Sequence, residues 1–234
     1  MSKILIFCEG ITDLFFIGHC LDKFFGLEFK YIYNKKKPLN ECIITHKCEI
    51  VGIGGCEKLT NPLYLDRLRD NTAEGGRNII IFDADFGPEA VGEKKGTGNN
   101  GFVNAKRKLE DIQKTKEVEF DFYLWHNNAN DGEVEDLLAK LIPENKKKLM
   151  DCINNHKECL SSLEIDNLMV PDKKKVLGYY LYSLQHDLHD YQNNDVWHLS
   201  ITDISDLGKF ATFLQKYFAS NNVNDGLAEI ATNA

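Results

Sequence analysis

The chain lacks any apolar run approaching the ~20 residues that cross a bilayer, so no membrane-spanning helix is expected. It lacks an excess of positive charge: 28 Lys and Arg stand against 36 Asp and Glu, for a formal net charge of −8. That balance excludes a protein that coats nucleic acid by charge alone. It does not exclude nucleic acid held at a metal site, where the ion supplies the positive charge. Cys-x-x-Cys pairs are also missing. The seven cysteines, at 8, 20, 42, 48, 56, 152 and 159, are irregularly spaced and odd in number, so neither a disulfide framework nor a zinc knuckle is expected. Free, mostly buried thiols in a reducing cytoplasm are the simplest expectation. The opening residues lack a signal-peptide pattern, and neither an internal repeat nor a linker-like stretch interrupts the chain.

What is present suffices for a core. Hydrophobic residues make up 43% of the 234 residues, enough for one large domain or a domain with an appendage. Two short apolar runs carry the main signal. Lys3-Ile4-Leu5-Ile6-Phe7-Cys8 leads into Glu9-Gly10-Ile11-Thr12-Asp13, and Asn78-Ile79-Ile80-Ile81-Phe82 leads into Asp83-Ala84-Asp85. Continuous β-branched runs of this length predict strands buried on both faces of a parallel sheet. Ligands gather at the carboxyl ends of such strands, so Glu9, Asp83 and Asp85 are expected to converge. Close like charges need a cation or a shared proton, and Mg²⁺ or Mn²⁺, hard and oxygen-seeking, is the natural choice. Extended backbone would point Asp83 and Asp85 to one side. Gly10 would let the chain turn sharply and approach a ligand.

The remaining pattern alternates helices and strands. Thr12 is the expected N-cap of a helix running to Phe25, with Asp13 as an acid in its first turn. Residues 28–33 and 42–53 read as one or two strands, 57–71 as a helix, 102–114 as a helix and 120–125 as a strand. The Gly-, Lys- and Asn-rich stretch 86–101 follows the acids as an expected loop. Helices are expected over 133–141, 144–160, 173–190 and 205–219. The fold class is therefore α/β: a compact, mostly parallel sheet of about four to six strands over 1–142, a helical part over 143–219 packed on it, and a polar tail over 220–234. Glu133, Glu135 and Asp136 begin the 133–141 helix and extend the acidic set, with Glu135 preferred as a ligand; Asn130 and Glu133 also have capping-box spacing. Trp125 and Trp197 are expected as core or strand-end anchors. The lysine runs at 35–37, 94–95, 146–148 and 173–175 read as solvated faces and loops.

Other motifs fail on their own terms. An EF-hand loop starting at Asn127 would put Ala129 and Leu138 where oxygen ligands are required. A phosphate loop over 87–94 has Glu93 after Gly92 and an intruding Pro88. Asp85-Phe86-Gly87 matches a kinase triplet without a His-Arg-Asp partner anywhere. Cys42, His46, Cys48 and Cys56 lack zinc-ligand spacing. His186 and His189 read as an exposed polar face.

Phe7-Cys8-Glu9-Gly10-Ile11-Thr12-Asp13 with Ile81-Phe82-Asp83-Ala84-Asp85 resembles the TOPRIM pattern of topoisomerases, primases and Overcoming Lysogenization Defect nucleases. Asp13, four after the glutamate, is similar to the nuclease branch. Gly54-Gly55-Cys56-Glu57-Lys58-Leu59 and Gly132-Glu133-Val134-Glu135-Asp136-Leu137-Leu138 resemble elements of a small, uncharacterised TOPRIM-related bacterial family. That second likeness spans nearly the whole chain, whereas the TOPRIM signature covers roughly the first 125 residues. The resemblance implies a Rossmann-like sheet and Mg²⁺ (or Mn²⁺) held by Glu9, Asp13, Asp83, Asp85 and Glu135. It implies phosphodiester cleavage or transfer on DNA or RNA, with Glu9, Asp83 and Asp85 as the catalytic centre. Gly10 and a lysine would face the substrate; Lys58, Lys94 and Lys95 are the candidates, and Lys58 is preferred. No topoisomerase tyrosine module, primase zinc region or ATPase is visible, so any such partner would be a separate protein. The rival expectation is a non-catalytic module on the same scaffold that binds a nucleotide or a partner protein.

Overall fold

Strand β1 (Ile4–Cys8) is buried along its whole length, as its unbroken apolar run requires. It pairs in parallel with β4 (Cys48–Gly52) on one side and β5 (Arg77–Asp83) on the other. A parallel strand β6 (Asp121–Trp125) extends the sheet beyond β5. Antiparallel β2 (Lys30–Tyr33) and β3 (Glu41–Ile44) extend it beyond β4, giving a mixed six-stranded sheet of order β2-β3-β4-β1-β5-β6. The computed structural model describes residues 3–33, 41–88, 100–186, 191 and 193–218. The lysines at 35–37, most of the 86–101 stretch with Lys94 and Lys95, His189, and the 220–234 tail lie outside the described residues.

Alternate residues of the central strands feed two apolar layers, as the period of two dictates. Ile4, Ile6, Cys8, Ile79, Ile81, Tyr123 and Trp125 face α1 (Ile11–Phe25), α4 (Val134–Lys140), α6 (Lys173–Ser183) and α7 (Ser205–Phe218) in one cluster. Leu5, Phe7, Val51, Ile80, Phe82 and Leu124 face α2 (Pro62–Ala73) and α3 (Phe102–Lys116) in the other. The C-terminal helices thus share a core with the N-terminal strands. Trp125 and Trp197 are both buried in that cluster. The exception is α5 (Lys147–Ser161), which packs mainly on α6 and buries no residue fully. Its Cys152 and Cys159 are exposed, Cys42 and Cys56 are half-buried, and Cys8, Cys20 and Cys48 are buried, so three of the seven thiols meet the expectation of burial. Among the described residues no helix is long and apolar enough to cross a membrane.

Several boundaries differ from the sequence pattern for identifiable reasons. The 42–53 run splits into two strands at Thr45, whose Oγ1 accepts the Lys47 and Cys48 N–H groups and closes a tight hairpin. The 57–71 segment breaks into a 3₁₀ turn, Cys56–Thr60, and α2. Asn61 caps α2 by accepting from the Leu63 N–H, with Pro62 in its first turn. The last expected helix to differ is α6, which stops at Ser183 instead of 190. Gln185 turns left-handed at φ 59°, and the His186 N–H closes on the Leu181 carbonyl, so His186 is not on a helix.

Candidate acidic site

Along the chain the parallel strands run β1, β4, β5, β6, but in space the order is β4-β1-β5-β6. The direction of growth therefore reverses between β1 and β5. In open α/β sheets the crevice at such a reversal, outside the strands' carboxyl ends, is where ligands bind. Glu9 follows β1 and Asp83 closes β5, so the two expected acids emerge side by side.

The first acid begins a helix. Gly10 is the N-cap of α1, and its N–H is accepted by Asp13 Oδ2 at 3.1 Å. Asp13, not Thr12, therefore closes the helix start. Its second oxygen accepts from the Trp125 indole Nε1 at 2.8 Å, a bond joining residues 112 apart. Asp13 is 4% exposed, so it ties α1 to the end of β6 from below the site. Gly10 itself has φ −140°, an ordinary extended conformation, and an added Cβ would meet only Asp13 Oδ2 at 3.9 Å. The chain does bend at Glu9 and Gly10, as expected, but in a conformation any residue adopts, and the space beside Gly10 is open.

The second pair of acids is held differently. Asp83 Oδ1 accepts the Val134 N–H at 2.8 Å, at the start of α4. Asp85 has φ 57°, so the alternation assumed for an extended Asp-x-Asp does not apply. Its N–H and carbonyl pair with Gly132 at 3.0 and 2.9 Å in an isolated bridge. Asp131 completes this corner: Oδ2 accepts the Gly87 N–H at 2.9 Å and Oδ1 the Phe102 N–H at 2.7 Å. It thereby holds Gly87 and Phe102 together.

Glu135 stands in the first turn of α4, which Glu133 caps. Asp136, three after the cap, accepts the Glu133 N–H at 3.0 Å, so the capping pair is Glu133 and Asp136, not Asn130 and Glu133. Asn130 bonds instead to Asn127 Oδ1 within the preceding turn.

The electrostatics bind the set together. Burial, then the charges of Asp13 and Asp85, push the Glu9 carboxyl up to about 7; Glu135 adds to this, while a backbone hydrogen bond from Asp83 opposes it. Burial, then Asp13, Glu9 and Glu135, hold Asp83 well above the carboxylate range. Asp13 and Glu135 are shifted upward too, burial being the largest cause in each. Asp85 is raised by burial and by Glu133, against the opposing pull of Lys108. Glu9, Asp13, Asp83 and Glu135 therefore act on one another, and Asp85 joins them through Glu9. As placed, however, no three His, Cys, Asp or Glu side chains among the described residues stand together closely enough to hold a metal ion.

Two lysines flank this edge. Gly54, at φ 82°, donates its N–H to the Glu9 carbonyl at 2.7 Å. The Lys58 Nζ lies over it, 2.5 Å from where a Cβ would stand, so Gly54 leaves the bay the ammonium occupies. Lys58 is exposed and makes no ion pair among the described residues. Lys108, on α3, acts on both Asp85 and the Cys56 thiol.

A family model described as Protein of unknown function (DUF3226) matches residues 3–219. The chain belongs to this family. The matched span takes in every strand and helix from β1 to α7. No curated protein and no solved structure matches the chain.

Three functional candidates escaped the sequence pattern. Lys108 is one charge among many on an exposed helix face. Asp131 looks like a turn residue in Asn130-Asp131-Gly132. Lys173 opens a lysine run that reads as solvated, yet it ion-pairs with Asp136 and Glu133. Only Lys173 had a signal: a lysine at the first position of a helix opposes the helix dipole.

Proposed function

We propose that this protein is a TOPRIM-like, Mg²⁺- or Mn²⁺-dependent nuclease, or a related phosphoryl-transfer protein, acting on DNA or RNA. The observation that carries this reading is the emergence of Glu9 and Asp83 from adjacent parallel strands at the reversal of strand order. The donor chemistry suits a hard divalent ion: all oxygen, and raised in pKa chiefly by burial and by one another. Glu9, Asp83 and Asp85 would hold the ion, with Glu135 above them. When bound, it would stabilise charge on the phosphoryl group and activate a nucleophile. Asp13, its two oxygens already accepting from Gly10 and Trp125, orients β1 and β6. In the metal-free protein the Glu9 carboxyl is raised to about 7, so it would release its proton readily when an ion binds. Lys58, beside the Glu9 backbone, and Lys108, which acts on Asp85, would offer phosphate contacts beside the acids.

The second reading, a non-catalytic TOPRIM-like module that holds a nucleotide or a partner protein, is favoured by one observation: among the described residues no three acids stand close enough to hold an ion. The deciding experiment is cleavage of labelled single- and double-stranded DNA and RNA with Mg²⁺ or Mn²⁺, beside Asp83→Ala and Glu9→Gln. Metal-dependent cleavage lost in both variants supports the nuclease. Absence of cleavage by a wild type that still binds the ion moves the conclusion to the second reading.

A further inference from the structure

We infer that Lys173, a residue of the C-terminal layer, is a positioning residue for the acidic centre, because its ammonium joins the first turn of α4 to the ring that follows Asp85. The inference rests on the metal reading above. The Lys173 Nζ lies 2.6 and 2.7 Å from the two Asp136 oxygens and 3.3 Å from Glu133 Oε2. It also stands over the Phe86 ring, 4.4 Å from its centre. Each contact leads on to an acid of the centre. Asp136 accepts the Glu133 N–H and so fixes the start of α4, where the Val134 N–H holds Asp83 Oδ1. Phe86 is bonded in sequence to Asp85, and the next residue, Gly87, is stapled by Asp131.

The placement of the cation points the same way. Lys173 is the first residue of α6, with Asp172 as N-cap accepting the Lys175 N–H at 2.9 Å. A helix start disfavours a cation, so this position gains nothing from its own helix. The Lys173 side chain is 27% exposed, and that of its partner Asp136 is 17% exposed. A partly buried, hydrogen-bonded pair of this kind fixes geometry more than it adds stability. Supporting contacts behind metal ligands typically change ion affinity by about 10–100-fold when removed.

The test is Mn²⁺ binding by calorimetry at pH 8 on the full chain, comparing wild type with Lys173→Met, Lys173→Arg and Lys174→Met. Lys173→Met keeps the aliphatic stem and removes the charge; it should weaken Mn²⁺ binding by about tenfold. Through-space electrostatics alone predicts the opposite sign, because removing a cation beside an anionic site favours a bound cation. Lys174, which acts on Glu135 without latching anything, supplies that control: Lys174→Met should leave binding unchanged or tighten it. Lys173→Arg should recover most of the loss, which also covers the case in which Lys173→Met folds poorly. Unchanged or tighter binding in a folded Lys173→Met overturns the inference alone. A wild type that binds no Mn²⁺ overturns the metal reading and this inference with it.

Discussion

Glu9, just past the end of β1, and Glu49, on the neighbouring strand β4, have opposite surroundings. Glu49, in β4, is 12% exposed at its side chain. Burial raises its carboxyl, but Lys3 at 2.7 Å and Arg67 more than offset this, and the net shift is downward. Nearby, Asn71 and Asn78 bond each other at 2.9 Å and satisfy the backbone carbonyls of Leu68, Arg77 and Glu119. At the carboxyl edge, Glu9 has acids for neighbours and is pushed up to about 7. One edge uses its polar residues to close the fold; the other keeps like charges together at a standing cost. Natural structures retain such a cost where something is bound or catalysed.

The sharpest way to break the contrast is to remove Glu49. Glu49→Ala strands Arg67 and should destabilise the fold by about 3 kcal/mol in urea unfolding, the usual magnitude for breaking a buried pair. A loss under about 1 kcal/mol would mean the pairing is incidental.

The two glutamates should also respond oppositely to pH. Glu9 has a raised folded-state pKa, so its stabilising contribution is full below about 4.5 and is lost as pH rises towards 7. That window corresponds to about 3 kcal/mol by linkage, an order-of-magnitude figure for a coupled group. Glu49, depressed in the fold, contributes above its unfolded pKa and loses that contribution on acidification. The metal-free protein should therefore lose stability between about pH 4.5 and 7, and Glu9→Gln should flatten that slope. A slope that Glu9→Gln leaves intact would remove Glu9 from the account.

A smaller effect of opposite sign is expected at Asp83. Asp83→Asn keeps an acceptor for the Val134 N–H and removes one like charge, so the metal-free protein at pH 8 should gain about 1 kcal/mol. The same change at Glu49 should destabilise. Smallest, Gly54→Ala forces a side chain into a left-handed position already facing the Lys58 Nζ, and should lower stability by about 1 kcal/mol. If Lys58 contacts substrate phosphate, that variant should also raise KM for a cleaved strand.

The strands and their acids were legible because burial on both faces forces an unbroken apolar run, and an acid after such a run has few other places to be. Glu9, Asp83 and Asp85 could be read that way. The α/β class followed from alternation of the same runs with helical periods. The remainder depends on partners far apart in sequence. Nothing near Asp13 announces that Trp125 will bond it, and nothing near Asp131 announces Gly87 and Phe102. The left-handed turns at Asp85 and Gln185 leave no periodic trace, so Asp83 and Asp85 were expected on one side and α6 was drawn too long. The break before α2 was readable in Asn61-Pro62, a pairing that caps a helix as readily as it interrupts one.

The most direct test of the central claim is Mn²⁺ calorimetry at pH 8 on wild type, Glu9→Gln and Asp83→Asn. The account predicts saturable binding by the wild type, with release of protons from the carboxyl cluster, and a loss of at least about tenfold in each variant. Equal binding by all three proteins, or none by the wild type, would contradict it.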